Sequence, residues 1–220
     1  MVRDLMRYRL IVLTHGDPRD TLQDTIKTFQ ENVTPQPEEA LVWRDGGPNL
    51  AGVVPIGWWQ FVTPPEQRGF CESCKSCWEI AASARRDIPF VFWLEHDFEF
   101  RRPLDLEPVA AELARRPQLA QMALMRDAVN EQEKKAGGLY EFRRAEYESV
   151  GDWLEHRSYF TTNPSLMRRE FMAENPWPDY PAQCEGRFGI DLVERGYSFG
   201  VWGSGEPWVR HIGVRTGKGY

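Results

Sequence analysis

The apolar run from Phe90 to Leu94 ends directly in the tripeptide Glu95-His96-Asp97. Side chains alternate along an extended strand, so we expect Glu95 and Asp97 to point the same way and His96 the other. Two carboxylates at the end of a buried strand are costly unless a cation or a hydrogen-bonding ligand keeps them charged. A hard divalent metal is the simplest such partner. The alternative is a strand that reaches solvent and continues into a polar loop.

The composition indicates one soluble domain over residues 1–220. Hydrophobic residues make up 41% of the chain, enough to bury a full core. The apolar runs are too short to span a bilayer, and the charged start from Met1 to Arg9 is unlike a signal peptide. We therefore predict a cytoplasmic protein without a membrane segment. The net charge of −6 argues against a protein that coats nucleic acid through bulk charge.

Strand and helix patterns alternate along the first half in the order β-α-β-β-α-β. This order predicts an α/β fold with a single Rossmann-like, mainly parallel, twisted sheet flanked by helices. Ligands of such sheets bind beyond the carboxyl ends of the strands. The predicted strands are Tyr8–Thr14, Ala40–Trp43, Trp58–Thr63 and Phe90–Leu94, and the predicted helices cover Leu22–Val33 and Arg68–Arg86.

Polar residues follow three of these predicted strands. They are His15-Gly16-Asp17, Asp45-Gly46-Gly47 and Glu95-His96-Asp97. Because the carboxyl ends of parallel strands share one edge, we expect the three segments to converge there.

The second half continues with mixed elements. The patterns predict a helix from Leu106 to Leu113, a strand near Met122 to Met125 and a mobile loop from Asp127 to Gly138. Asn163-Pro164 predicts the cap of a short helix that runs through Phe171. The pattern from Glu185 to Gly196 predicts a further helix, and Tyr197 to Trp202 a final strand.

Cysteines occur at positions 71, 74, 77 and 184. The first three have the spacing C-x2-C-x2-C, which some iron–sulfur proteins use, and Cys184 could serve as a fourth ligand. Spacing of three also places residues on one helix face, and Trp78, Ile80 and Ala81 continue a helical pattern. We favour reduced, partly buried thiols in a helix. A non-catalytic iron–sulfur or metal protein stays open as an alternative function.

Four segments of the chain carry a common pattern. They are Leu10-Ile11-Val12-Leu13-Thr14, Leu41-Val42-Trp43-Arg44-Asp45-Gly46-Gly47, Trp93-Leu94-Glu95-His96-Asp97, and Glu185 to Tyr197. Together they resemble the GT-A superfamily of nucleotide-sugar-dependent glycosyltransferases, especially its family-2-like inverting branch. The third segment corresponds to the family's D-x-D site, and the fourth is similar to its "E-D…R…G-Y" helix. The sequence departs from the family pattern at Glu95, where the first acid of D-x-D is usually aspartate, and at Gly186, where aspartate usually follows the glutamate.

The resemblance implies a GT-A fold with a nucleotide-sugar-binding half, residues 1–103, and an acceptor-binding, catalytic half, residues 104–220. It implies a hexosyltransferase type of enzyme that uses a nucleotide-sugar donor, expected to be a UDP-sugar, and inverts the transferred sugar. Asp97, Glu95 and His211 would hold Mn²⁺ or Mg²⁺ against the diphosphate.

The same resemblance assigns the other site residues. Glu185 would be the general base that takes the acceptor proton. The donor would contact Thr14, His15, Gly16, Asp17 and Asp45, together with Glu95 and Asp97. Sugar or acceptor platforms are expected among Trp58, Trp177, Trp202 and Trp208, with Arg210 beside them.

The acceptor class stays open among a saccharide, a protein side chain and a hydroxylated DNA base. A DNA acceptor would use the basic pairs Lys134-Lys135 and Arg143-Arg144 and would need the base flipped out. A nucleotide-binding relative without transferase activity is a further alternative.

Overall fold

The computed structural model of the protein describes residues 6–15, 19–46, 59–127, 146–203 and 205–213. The helices in these ranges are α1 (Arg19–Asn32), α2 (Phe70–Ala82), α3 (Glu107–Arg115), α4 (Arg169–Glu174) and α5 (Cys184–Glu194). The strands are β1 (Tyr8–His15), β2 (Val33–Thr34), β3 (Glu39–Asp45), β4 (Trp59–Val62), β5 (Phe90–Glu95), β6 (Phe98–Phe100), β7 (Leu104–Asp105), β8 (Leu119–Leu124), β9 (Glu148–Val150), β10 (Trp153–His156), β11 (Ser165–Arg168), β12 (Ser198–Trp202) and β13 (Val209–His211).

The main sheet has the strand order β4-β3-β1-β5-β11-β8-β12-β10-β9. The first four strands in this order are parallel, which confirms the prediction for the first half. Strand β11 is antiparallel to both of its neighbours, β5 and β8. The amino end of β11 therefore lies at the same edge as the carboxyl ends of the parallel strands.

Alternating residues of the strands face two helical layers. Leu10 and Val12 of β1 lie in the core cluster that includes residues of α1 and α3. Ile11 and Leu13 lie in the opposite cluster, which includes residues of α2, α4 and α5. Because both faces are covered, these strands are apolar on both sides rather than alternating in polarity. The α/β fold class is confirmed.

The core cluster that contains Ile11 and Leu13 is centred on the buried indole of Trp78 in α2. Its Nε1–H donates to the carbonyl oxygens of Met172 and Asn175, at 3.0 and 2.9 Å. The rings of Trp177 and Phe188 lie 5.3 and 5.2 Å from it, centroid to centroid. This aromatic cluster fixes α5 against the sheet.

A glycine permits the close approach of α5. A Cβ atom at Gly189 would lie 2.6 Å from the backbone nitrogen of Phe160, closer than real Cβ contacts. Any larger residue at position 189 would push the helix away from the segment that precedes β11.

The helix predicted from Asn163-Pro164 through Phe171 is wrong in its first part. Residues Ser165–Arg168 form β11, and the helix begins only at Arg169. Leu166 is fully buried and pairs with Phe92 on one side and Met122 on the other, so pairing within the sheet overrides the local cap signal.

Other predicted features lie partly outside the described residues. The predicted loop from Asp127 to Gly138 is described only at Asp127, and Trp58 also lies outside the described ranges. Among the helices that the structure describes, none is long and apolar enough to cross a membrane. The cytoplasmic location and the division into two halves stay predictions.

Candidate active site

The strand register brings the predicted site segments to one edge. His15 pairs with Asp45 across β1 and β3, and Leu13 pairs with Glu95 across β1 and β5. The backbone N–H of His96 also donates to the Leu13 carbonyl at 3.1 Å. The predicted convergence of these segments is therefore observed, except for Gly16, Asp17 and Gly47, which lie outside the described residues.

Thr25 of α1 holds the turn that follows β5. Its hydroxyl donates to the carbonyl oxygen of His96 at 2.7 Å and accepts from the Phe98 N–H at 3.1 Å. The strand ends at Glu95, and the turn sends the next acid, Asp97, towards the carboxyl-terminal segment. Glu95 and Asp97 consequently contact different residues. The prediction that their side chains point the same way is wrong, because the strand does not continue to Asp97.

Asp97 is buried against β13 and the residues that follow it. Nε2 of His211 lies 3.2 Å from Asp97 Oδ2, and the Ile212 N–H donates to the Asp97 carbonyl at 2.8 Å. Gly213 is required here, because a Cβ atom at that position would collide with Oδ2 of Asp97. Strand β13 therefore places His211 beside Asp97, as the sequence resemblance implied.

One oxygen of Asp97 is suited to a cation. Oδ1 is buried and has no hydrogen-bond partner among the described residues. Burial acts to raise the pKa of Asp97, but the hydrogen bond from His211 and the nearby His96 outweigh it, so the pKa is lowered. A buried carboxylate that stays charged with an unpaired oxygen, next to an imidazole, is a donor set that Mn²⁺ or Mg²⁺ fits.

Glu95 contacts Thr162 instead of the Asp97–His211 pair. The Thr162 hydroxyl lies 2.5 Å from Glu95 Oε1 and 2.8 Å from Oε1 of Glu185. The Thr162 N–H donates to that same Glu185 oxygen at 2.6 Å. Across the described residues, no three His, Cys, Asp or Glu side chains come together as a metal group. The ligand roles of Glu95, Asp97 and His211 stay predictions.

Asp45 is buried at the carboxyl end of β3. Its two oxygens accept from the N–H groups of Arg68 and Gly69, each at 2.7 Å, just before α2 begins. The carboxylate thus orders the start of α2. Among the described residues each oxygen accepts this one hydrogen bond, and a carboxylate oxygen can accept a second one, for example from a ligand hydroxyl.

Two histidines pack together at the carboxyl ends of β1 and β5. The rings of His15 and His96 lie 4.9 Å apart in an edge-on arrangement. Burial lowers the pKa of both, and it lowers that of His15 to about 4, with a further contribution from His96. Both imidazoles are therefore neutral at pH 7.

The neutral histidines predict a loss of stability in mild acid. Between pH 6.5, the ordinary pKa of histidine, and about 4, the unfolded chain binds more protons than the folded one. The free energy of unfolding should therefore fall as the pH is lowered through this window. Urea unfolding at pH 7 and pH 4.5 measures the loss, and His15→Gln should reduce it. An equal loss in His15→Gln and wild type would contradict the assignment to His15.

The remaining predicted donor residue, Thr14, lies at the end of β1. It is fully buried, and its hydroxyl has no hydrogen-bond partner among the described residues. An unpaired buried hydroxyl beside the carboxyl edge is consistent with a ligand contact.

The predicted platforms occupy different environments. Trp177 is 3% exposed and packs 4.8 Å from Phe188, so it lies in the core and offers no free ring face. Trp208 is half-buried, with the Arg102 guanidinium 3.6 Å above its ring. Trp202, at the end of β12, is also half-buried, while Arg210 is exposed on β13.

Cys71, Cys74 and Cys77 lie in α2, as predicted, Cys184 is the first residue of α5, and all four thiols are free. A hydrogen bond from Cys74 lowers the pKa of Cys184 to about 7, against the effect of burial, and Cys71 makes a second such bond. Burial raises the pKa of Cys71 to about 11. These contacts bring Cys71 and Cys74 to Cys184, but no group of His, Cys, Asp or Glu that could hold a metal is found among the described residues. The DNA alternative stays a prediction, because Lys134-Lys135 and Arg143-Arg144 lie outside the described residues.

Sequence reasoning missed Thr162 and Gly213. The helix cap was predicted at Asn163-Pro164, directly after Thr162, although that segment leads into strand β11. Recognition of β11 as an antiparallel strand would have placed Thr162 at the carboxyl edge, because that strand enters the sheet there.

Comparison with known proteins identifies the fold. No family model and no curated protein matches the sequence. Among solved structures, 337 chains match. One is the crystal structure of GalNAc-T7 with UDP, GalNAc and Mn²⁺, with a TM-score of 0.70 over 97% of this chain at 12% sequence identity. This likeness shows that the chain has the fold of the GT-A glycosyltransferases. This chain covers 45% of that chain.

Proposed function

We propose that this protein is a metal-dependent glycosyltransferase that moves a sugar from a UDP-sugar to an acceptor hydroxyl with inversion. The observation that carries the proposal is the buried Asp97 carboxylate, with an unpaired oxygen and His211 beside it, at the carboxyl edge of a GT-A sheet. The likeness to a structure that contains UDP, GalNAc and Mn²⁺ supports the use of a nucleotide sugar and a divalent metal, whereas inversion rests on the sequence resemblance.

On the donor side, Asp97 and His211 would hold the divalent ion, with Glu95 at the same edge. The ion would supply Lewis-acid stabilisation of the departing diphosphate. Imidazole as a ligand favours Mn²⁺ over Mg²⁺. Asp45 would accept a ribose hydroxyl through its remaining lone pairs, and the Thr14 hydroxyl would bond to the nucleotide.

On the acceptor side, Glu185 acts as general base. It lies in the first turn of α5, and its Oε1 accepts from the N–H of Thr162. As the acceptor oxygen bonds to the anomeric carbon, its proton passes to Glu185 and the bond from that carbon to the diphosphate oxygen breaks. A single in-line displacement of this kind inverts the anomeric centre. Trp202 and Trp208, with Arg210, would contact the sugar or the acceptor.

Donor binding should stabilise the protein only when the metal is present. A ligand at about one hundred times its dissociation constant stabilises a protein by roughly 2.7 kcal/mol. For a chain of this length, that stabilisation raises the melting temperature by about 5 to 10 °C. Thermal melts with UDP-, GDP-, CMP- and TDP-sugars, each with Mn²⁺ and with EDTA, measure the effect.

We expect the shift with a UDP-sugar and Mn²⁺, and none with the same sugar in EDTA. An equal shift in EDTA would contradict the metal dependence. A shift with another nucleotide sugar alone would correct the donor base and leave the transferase proposal intact. Transfer itself is then measured with the stabilising donor against saccharide and peptide acceptors.

A further inference from the structure

Thr162 lies between the two glutamates of the candidate site. It is 4% exposed, and its hydroxyl is within hydrogen-bond distance of both Glu95 and Glu185. We infer that Thr162 is a positioning residue that fixes the general base Glu185 and selects which of its oxygens takes the acceptor proton. The inference rests on the proposed function.

Thr162 contacts only one of the two carboxylate oxygens of Glu185. The N–H of Thr162, at 2.6 Å, and its hydroxyl, at 2.8 Å, both reach Oε1. Two contacts from one residue to one oxygen fix the carboxylate plane more firmly than a single contact does. Oε1 is occupied in this way, whereas Oε2 has no hydrogen-bond partner among the described residues, so Oε2 is the oxygen that accepts a proton from the acceptor.

The hydroxyl of Thr162 carries a single hydrogen, yet it meets two carboxylate oxygens. The N–H of Thr162 guarantees Glu185 one donor whichever carboxylate receives the hydroxyl proton. Loss of the hydroxyl would leave Glu185 with the N–H alone, and the plane of its carboxylate would be free to rotate. The contact with Glu95 in turn fixes the side chain of Thr162.

The backbone of Thr162 is itself held by the sheet. Thr161, the residue before Thr162, makes two hydrogen bonds to the buried side-chain amide of Gln121 in β8. The Gln121 amide donates to the Thr161 carbonyl at 2.6 Å and accepts from the Thr161 N–H at 3.2 Å. On the other side, Gly189 lets α5 contact the backbone of Phe160. Both the donor groups of Thr162 and the helix of Glu185 are therefore anchored to the same rigid core.

Steady-state kinetics of Thr162→Val and Thr162→Ser test the inference. Valine has nearly the same shape but lacks the hydroxyl, whereas serine keeps it. We expect Thr162→Val to lower kcat by roughly 10- to 100-fold, as a small misplacement of a catalytic group does, with little change in donor KM. Thr162→Ser should retain kcat to within about threefold, since the hydroxyl is the group that acts. Thr34→Val, which removes an exposed hydroxyl in β2, outside the main sheet, is the matched control and should keep the wild-type kcat.

A double-mutant cycle separates positioning from general damage to the fold. In the Glu185→Gln background, Thr162→Val should cost little further turnover, because its effect passes through Glu185. If Thr162→Val does not fold, Thr162→Ala carries the same expectation, with melting temperature and UDP-induced stabilisation as checks.

Three outcomes would overturn the inference. They are wild-type kcat in Thr162→Val, a loss in Thr162→Ser as large as in Thr162→Val, and full multiplication of the two losses in the double variant. In each case the wild type still turns over, so the proposed function stands. Wild-type protein that neither binds a nucleotide sugar nor transfers one would overturn the proposed function, and the inference with it.

Discussion

Asp97→Asn is expected to abolish metal-supported donor binding while the fold is retained. Asparagine keeps the shape of the side chain and can still accept the hydrogen bond from His211. It removes the charge, however, and a neutral amide is a much poorer ligand for a hard cation than a carboxylate. Loss of an outer-shell partner typically costs roughly 10- to 100-fold in metal affinity, and loss of the ligand itself should exceed that. Donor affinity measured with Mn²⁺ should fall accordingly.

The control for Asp97→Asn is Asp87→Asn. Asp87 is exposed in the segment before β5, at the amino ends of the parallel strands, so the same chemical change there should leave donor binding unaltered. Calorimetric titration with Mn²⁺ and a UDP-sugar compares the variants. Wild-type affinity of Asp97→Asn at equal Mn²⁺ would remove Asp97 from the metal site.

Much of the first half of the fold can be predicted from the sequence because its strands are covered on both faces. Strands β1, β3 and β5 are short apolar runs that end in polar residues, so both their existence and their ends are visible. Strand β11 was missed for the opposite reason. Its four residues are too few to show a period, and its strand conformation depends on long-range pairing with β5 and β8.

The donor side of the candidate site was more predictable than its acceptor side. Parallel strands deliver their carboxyl ends to one edge, so the meeting of His15, Asp45 and Glu95 follows from strand order alone. The bridge through Thr162 depends on the direction of β11 and on the close packing of α5 at Gly189. Neither property leaves a local pattern in the sequence. The burial of Trp177 could not be predicted for the same reason, because it depends on contacts with Trp78 and Phe188 from other elements.

Glu185→Gln is expected to lower turnover by roughly 10²- to 10⁴-fold, the range for loss of a positioned general base. Such a loss corresponds to about 3 to 5 kcal/mol in activation free energy. Glutamine can still accept the two contacts from Thr162 through its amide oxygen, so the start of α5 should be undisturbed. Donor affinity, and the UDP-induced rise in melting temperature, should stay at wild-type values because Glu185 acts on the acceptor proton.

A control on the same helix makes the result for Glu185→Gln specific. Glu194→Gln applies the identical change to an exposed residue at the other end of α5, and its turnover should match the wild type. The wild-type product should have the inverted anomeric configuration, which NMR of the new linkage reads directly. A retained configuration, with near-normal turnover in Glu185→Gln, would make this glutamate structural and would assign the chemistry to a double displacement. In that mechanism a nucleophile on the donor face would be required, and Glu95, 2.5 Å from the same threonine hydroxyl, would be the first residue to test.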